Sequence, residues 1–142
     1  MNKILPLFLV SALVSAVAFA GTTITVVERA TTDAVTDTGA KGDSVGDVLT
    51  FANEVYDAAN KNRIGTDQGF CLRTEVGKSW ECAWTLTLAD GQITVEGPFS
   101  DKGDSKLAIT GGTGKYAGAR GEMKLHARDD KGSEYDFVYS LQ

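Results

Sequence analysis

The chain has 142 residues, one domain's worth, with 14 Lys and Arg against 19 Asp and Glu for a net charge of −5. An acidic balance without clustered Lys and Arg argues against a nucleic-acid binder and against docking on an anionic lipid surface. Two cysteines and a single histidine, His126, are too few for a dedicated zinc site, so no metal is expected; they also weaken any Ser-His or Cys-His nucleophile scheme.

In chain order, Asn2-Lys3 is a short positive start, Ile4 to Val17 is uncharged and apolar, and Ala18-Phe19-Ala20 is a small-x-small cleavage site. The run is too short to span a bilayer and no second apolar stretch follows, so 1–20 reads as a signal peptide cut between Ala20 and Gly21. No cysteine follows it, so no lipid anchor is expected. Residues 21–142 then form a single domain, secreted or periplasmic, and losing Lys3 makes it one charge unit more acidic.

Ala30 to Gly46 is rich in Thr, Asp and Gly and reads as one long loop, a length usually mobile or functional. The rest shows period two. Eight runs read as strands: Thr22–Arg29, Asp47–Tyr56, Ile64–Val76, Ser79–Ala89, Gln92–Pro98, Ser105–Thr110, Ala119–Arg128 and Glu134–Leu141. Asp90-Gly91 between alternating runs predicts a type I′ hairpin that pairs Leu88 with Ile93 and Leu86 with Val95. A reversal centred on Lys131 pairs Met123 with Tyr139 and Leu125 with Phe137, with Gly132 in the left-handed position of a three-residue loop. Eight sequential strands suit an all-β, eight-stranded antiparallel up-and-down β-barrel; period two leaves a sandwich open. It also leaves open which face lines the lumen, since Arg120, Glu122 and Lys124 share one parity and Met123 and Leu125 the other.

The turn Glu75-Val76-Gly77-Lys78 sets Thr74 opposite Ser79 and Cys71 opposite Cys82 at a non-hydrogen-bonded pair, the spacing a disulfide wants. Export favours the disulfide; a cavity-lining free thiol is the alternative. Gly111-Gly112-Thr113-Gly114-Lys115 misses the phosphate-loop spacing and precedes no helix, so it reads as a tight turn. Asp101 and Asp104 lack EF-hand spacing and read as a solvated loop. Glu54, Asp57, Asp67 and Glu122 are possible acid–base groups that spacing does not select. His126 lies on the polar parity of its strand and reads as solvent-facing.

Gly46-Asp47-Val48-Leu49-Thr50-Phe51-Ala52-Asn53-Glu54-Val55-Tyr56-Asp57 resembles the Gly-Asp…Phe-x-Asn-x-x-Tyr stretch of plant allene oxide cyclases, and Arg63-Ile64-Gly65 through Gly69-Phe70-Cys71 resembles their Arg-Ile/Val-Gly…Gly-Leu-Cys strand. Asp90 to Pro98 and Leu107 to Leu125 continue the match in order. Gly111 to Gly121 and Gln68-Gly69 also resemble dirigent proteins of the same superfamily. The resemblance implies an eight-stranded antiparallel barrel with a ligand cavity, commonly trimeric, working without a cofactor: cyclases close a fatty-acid epoxide, and dirigent proteins steer phenoxy radicals made by a separate oxidase. It carries Asn53 and Cys71 to cyclase cavity positions and Arg120 to the dirigent cavity arginine. The cyclase glutamate and asparagine of the first strand are missing: Thr23-Ile24-Thr25 stands there, and the nearest acid is Glu28.

Two function classes follow. One is a barrel isomerase, cyclase or stereo-directing protein acting on a small apolar or phenolic ligand. The other is a non-catalytic exported ligand-binding or structural barrel, as a lumen filled by Trp80, Trp84 and their neighbours would indicate. For the first, Asn53 and Arg120 are the expected catalytic groups, orienting ligand oxygens, with Phe51, Cys71, Trp80 and Trp84 completing the binding site. Their competing roles are structural: Arg120 paired with an acid at the rim, Asn53 capping a turn. An apolar outer face covered by partner subunits would make a homotrimer.

Overall fold

The computed structural model describes residues 21–142. The expected signal peptide, with Ala20 of its cleavage site, lies outside the described residues. Nine strands follow in order: β1 Thr22–Arg29, β2 Ala34–Thr36, β3 Val48–Asp57, β4 Arg63–Glu75, β5 Ser79–Leu88, β6 Gly91–Ser100, β7 Ser105–Gly114, β8 Gly121–Ala127 and β9 Glu134–Leu141. Neighbours pair antiparallel in the order β1-β9-β8-β7-β6-β5-β4-β3, and β1 also pairs with β3. That last ladder closes eight strands into an up-and-down barrel and leaves no sheet edge among them. A sandwich is thereby excluded.

β2 corrects the reading of Ala30–Gly46 as plain loop. β1 pairs with Glu54–Asp57 and β2 with Val48–Thr50, on the same edge of β3. β2 therefore continues β1 after a break at residues 30–33.

Period two resolves into a packed lumen. Val26, Val55, Leu86, Ile93, Met123 and Tyr139 are fully buried inside, and Met123 and Leu125 face inward while Glu122 and Lys124 face solvent. The expected apolar outer face is thus largely absent, because nearly every strand spends its apolar parity on the core. Exposed large apolar side chains on β4 are confined to Ile64, Phe70 and Leu72.

The hairpin registers test the turn chemistry. Met123 pairs with Tyr139 and Leu125 with Phe137, as the alternation requires. Gly132 has φ +65°, in a loop longer than three residues: Arg128 N–H donates to the Glu134 carbonyl at 2.9 Å, and Asp129 caps the residues between. The β5–β6 register differs from expectation by two residues. Leu88 pairs with Gly91 and Leu86 with Ile93, so the turn is Ala89-Asp90. Gly91 is needed for close approach, since a Cβ there would meet the Thr113 carbonyl oxygen at 2.2 Å. A shift of two preserves the face, so the core is unchanged.

The connections divide the barrel into two ends. Residues 58–62, 89–90 and 115–120 lie at one end, which buried Tyr116 and Ala119 plug. Gly111–Gly114, expected as a tight turn, is instead the end of β7, paired with Gly91–Thr94, and leads into this stopper, where the Tyr116 hydroxyl donates to Asp90 Oδ1 at 3.1 Å. The break and loop 30–47, the turn 76–78 and the loops 101–104 and 128–133 surround the other end, the mouth.

Candidate functional site

Just inside the mouth lies a cavity of about 60 Å³, partly open to solvent. Its walls are the rings of Phe51, Trp84, Phe99, Tyr135 and Phe137, with the Cys71–Cys82 disulfide on the mouth side of Trp84. The disulfide forms because Cys71 and Cys82 are direct partners across β4 and β5, 4.0 Å apart at Cα. The expected opposition of Thr74 and Ser79 is replaced by a bulge, in which Glu75 pairs with Ser79. Trp84 and Phe137 lie 5.4 Å apart at their centroids, and Phe51 meets Trp84 edge-on at 6.0 Å. Trp84 reaches this position because it crosses Gly69, where a Cβ would stand 2.4 Å from the Trp84 Cβ.

Two carboxyls face this aromatic wall: Glu28 on β1 and Asp33 in the break. Asn53 on β3 organises both. Its Nδ2 donates to Glu28 Oε1 and to Asp33 Oδ1, each at 2.7 Å. Its Oδ1 accepts the N–H groups of Thr31 and Thr32 at 3.0 Å and the Thr32 hydroxyl at 2.8 Å. The Thr32 oxygen in turn accepts Ala52 N–H at 2.8 Å. One side-chain amide thereby replaces the ladder that the break removes, and aims two acids at the cavity.

Behind Glu28 lies Asp67 of β4, wholly buried and paired in register with Asn53. Among the described residues neither Asp67 oxygen receives a hydrogen bond from a donor group. Its neighbour is the Glu28 carboxyl, so the pair is satisfied when one proton lies between them. Burial pushes Glu28 up to about 7; the Asn53 hydrogen bond opposes this and the Asp33 charge adds to it. Asp67 goes up further, through burial first and then the charge of Glu28. The pair titrates as a unit and retains a proton at neutral pH. Tyr139, also fully buried, accepts from Trp84 Nε1 at 3.4 Å; burial raises its phenol well above the usual value. At the rim, Tyr135 is pushed up to about 12 by burial and by the charges of Glu28, Asp33 and Asp129.

Of the residues expected at a site, Phe51, Cys71 and Trp84 line this cavity, and Asn53 lies buried behind its acids. Trp80 lies outside the lining, under the guanidinium of Arg73 at 3.9 Å; Arg73 is also held by Asp43 and Asp101, each at 2.7 Å. Arg120 is not a cavity residue. It is exposed at the plugged end, where Ala119 turns inward and the Arg120 carbonyl accepts Gln142 N–H at 2.9 Å. Nor, among the described residues, does it occur in a rim ion pair: Glu122 pairs with Lys106, Asp104 with Lys124 and His126, and Asp136 with Arg128. Spacing did not select Glu28 and Asp67, yet both stand on the inward parity of their strands, Glu28 with Ile24 and Val26, Asp67 with Cys71. An acid at a core position was the available signal. Asp33 had none.

The allene oxide cyclase family model matches residues 23–140. Among solved structures, a pyocyanin demethylase is 27% identical with a TM-score of 0.75, covering 85% of this chain and 100% of its own. The pterocarpan synthase dirigent protein PsPTS1 is 14% identical with a TM-score of 0.67, over 84% and 92% of the two chains. AbnU, an exo-specific intermolecular Diels-Alderase, is 18% identical with a TM-score of 0.66, over 86% and 98%; at these last two identities the likeness is one of fold. With the closed barrel, the mouth cavity and a match over almost the whole described chain, this protein belongs to the allene oxide cyclase family.

Proposed function

We propose that the barrel binds a small, flat apolar or phenolic ligand at the mouth cavity and moves a proton on it, promoting isomerisation or cyclisation without a cofactor. Glu28 is the catalytic acid and base because it alone joins the cavity to the buried proton-holding pair. Asp67 is the positioning partner: it shares a proton with Glu28, whose burial raises it to about 7, where a group can both give and take a proton. A proton passes from the Glu28 carboxyl to one ligand atom, and the resulting carboxylate removes a proton from another, so the step is redox-neutral. The single observation that carries this reading is the Glu28–Asp67 pair buried against an aromatic cavity. The likeness to a pyocyanin demethylase supports a flat ring system as ligand.

The test starts with native mass spectrometry against a panel of hydroxy-aromatics and nitrogen heteroaromatics. For a hit, product formation or proton exchange at the ligand is followed by NMR. Glu28→Gln is expected to lower the rate about 100-fold or more, and Asp67→Asn to move the pH profile of the rate. A Glu28→Gln variant as fast as the parent overturns the reading.

The second reading, a binding or structural barrel without catalysis, is favoured by one observation. The lumen is mostly filled, and about 60 Å³ is well below the roughly 300 Å³ of an ordinary ligand pocket. Under the first reading the ligand enters edge-on and extends into the mouth.

The disulfide supports an oxidising compartment, and with it a secreted or periplasmic location. A homotrimer is part of the same proposal. Its support is local: Phe70 and Leu72 are exposed on the outer face of β4, beside a shallow groove that includes Ala52 and Ala83.

A further inference from the structure

We infer that the mouth selects a planar aromatic cation and rejects a carboxylate of the same shape. This rests on the ligand-binding reading above but not on catalysis.

The first argument is the cavity lining. Five aromatic rings and the carboxyls of Glu28 and Asp33 face the space, and no Lys, Arg or His is among the lining residues. Aromatic faces carry the negative end of the ring quadrupole and attract cations. The Asp33 carboxylate and the one negative charge left on the proton-sharing Glu28–Asp67 pair add to the same preference, and rings and charges alike repel a ligand carboxylate. The Trp84 N–H is already given to Tyr139, which removes one of the few donors an anion would need.

The second argument is the approach. A cleft of about 630 Å³ lies outside the cavity, between loops 101–104 and 128–133, and shares Phe99 and Tyr135 with it. These two rings meet edge-to-face at 6.1 Å, and Tyr135 lies at 29° to Phe137 at the next level down. A flat ligand too large for the inner cavity alone has the cleft for its outer rings and Tyr135 and Phe137 for stacking. The cleft contains Asp101, Asp104, Asp129 and Asp130 against Lys102, Lys131 and His126. His126 and Lys124 are both drawn to Asp104, at 2.6 and 2.7 Å.

The third argument is the whole barrel. The break, loops and turn around the mouth carry eight aspartates against five Lys or Arg residues. The loops of the plugged end carry only Asp90 against Lys61, Lys115 and Arg120. The potential therefore runs along the barrel axis, negative at the opening, and steers a cation toward the cavity.

The experiment uses the mature protein and three matched bicyclic probes at pH 7.5 and low salt: N-methylquinolinium, quinoline and 2-naphthoate. Affinities are measured by isothermal titration calorimetry. N-methylquinolinium is expected to bind about tenfold more tightly than quinoline and at least 50-fold more tightly than 2-naphthoate, with the margin shrinking as salt rises. Glu28→Gln and Asp33→Asn should each reduce its affinity about tenfold, a larger loss than either causes for quinoline. Circular dichroism shows that the variants remain folded, and Asp33, on an exposed segment, tests the charge at a residue outside the buried pair. The inference is overturned if 2-naphthoate binds as tightly as the cation, if both variants keep the cation's full affinity, or if the cation does not bind at millimolar concentration. Selective cation binding with no proton exchange on any ligand would fail the catalytic reading alone. Catalysis on a ligand with an anionic preference would fail only the charge selection.

Discussion

Asp67 shows what burial does to a carboxyl when the nearest polar neighbour is another carboxyl. In the unfolded chain both acids titrate near about 4. In the barrel Glu28 is raised to about 7 and Asp67 to about 9. Between those limits the native state holds protons that the unfolded state releases, so stability falls as pH rises through the window. Denaturant melts at pH 5, 7 and 9 should show that decline. Asp67→Asn keeps the shape without the charge and should flatten it, gaining about 1–3 kcal/mol at pH 9 by removing an unpaired buried carboxylate; an unchanged slope would show that the pair does not share a proton. Arg120→Ala, at the exposed plugged end, should stay within about 0.5 kcal/mol of the parent and leave cavity binding unaltered, as measured by melting and by the titrations above.

The break between β1 and β2 turns a strand into a site. A continuous strand would complete its ladder with β3 and present nothing but alternating side chains. The interruption instead brings Thr31, Thr32 and Asp33 onto Asn53, which stands in for the missing backbone partners. Asn53→Ala would leave the Thr32 N–H without its acceptor and the Glu28 and Asp33 carboxyls without their shared donor, at a cost of about 2–4 kcal/mol in chemical denaturation. Hydrogen exchange should show the loss concentrated at residues 30–36. At the β4–β5 ladder, Gly69→Ala would push a methyl against the Trp84 Cβ and the Ala83 carbonyl, both at 2.4 Å. Backbone must move there, costing about 1–3 kcal/mol, and Trp84 fluorescence should shift with it.

The molecule as a whole is a tube stoppered at one end by Tyr116 and open at the other to an acidic mouth. Its outer face is polar over most strands, so the proposed trimer has to be held by a limited patch around Phe70 and Leu72. Light scattering at micromolar concentration is expected to give three times the mature mass, and Phe70→Lys with Leu72→Lys to give monomers that keep the barrel's circular dichroism. A parent that is already monomeric would remove the trimer.

Much of this architecture was legible in the linear pattern, because in a barrel the chemistry of a strand is local: residue parity decides the face, and turn residues decide where the chain reverses. Trp80 to Leu88 alternates cleanly enough to place β5, and the opposition of Cys71 and Cys82 follows from counting back through one tight turn. Both β1 and β9 have the bounds their alternation implies. The two-residue register shift at Ala89-Asp90 was not legible, since a shift of two keeps every side chain on its own face and leaves no trace in the pattern. Nor was the direction of the apolar parity, which only closure of β1 onto β3 decides by giving each strand an inside. The cavity needed three dimensions for the same reason. Glu28, Asp33, Asn53 and Asp67 come from different stretches of chain, and what makes two of them proton-holding acids is removal from water beside each other, a property of the folded interior that no spacing encodes.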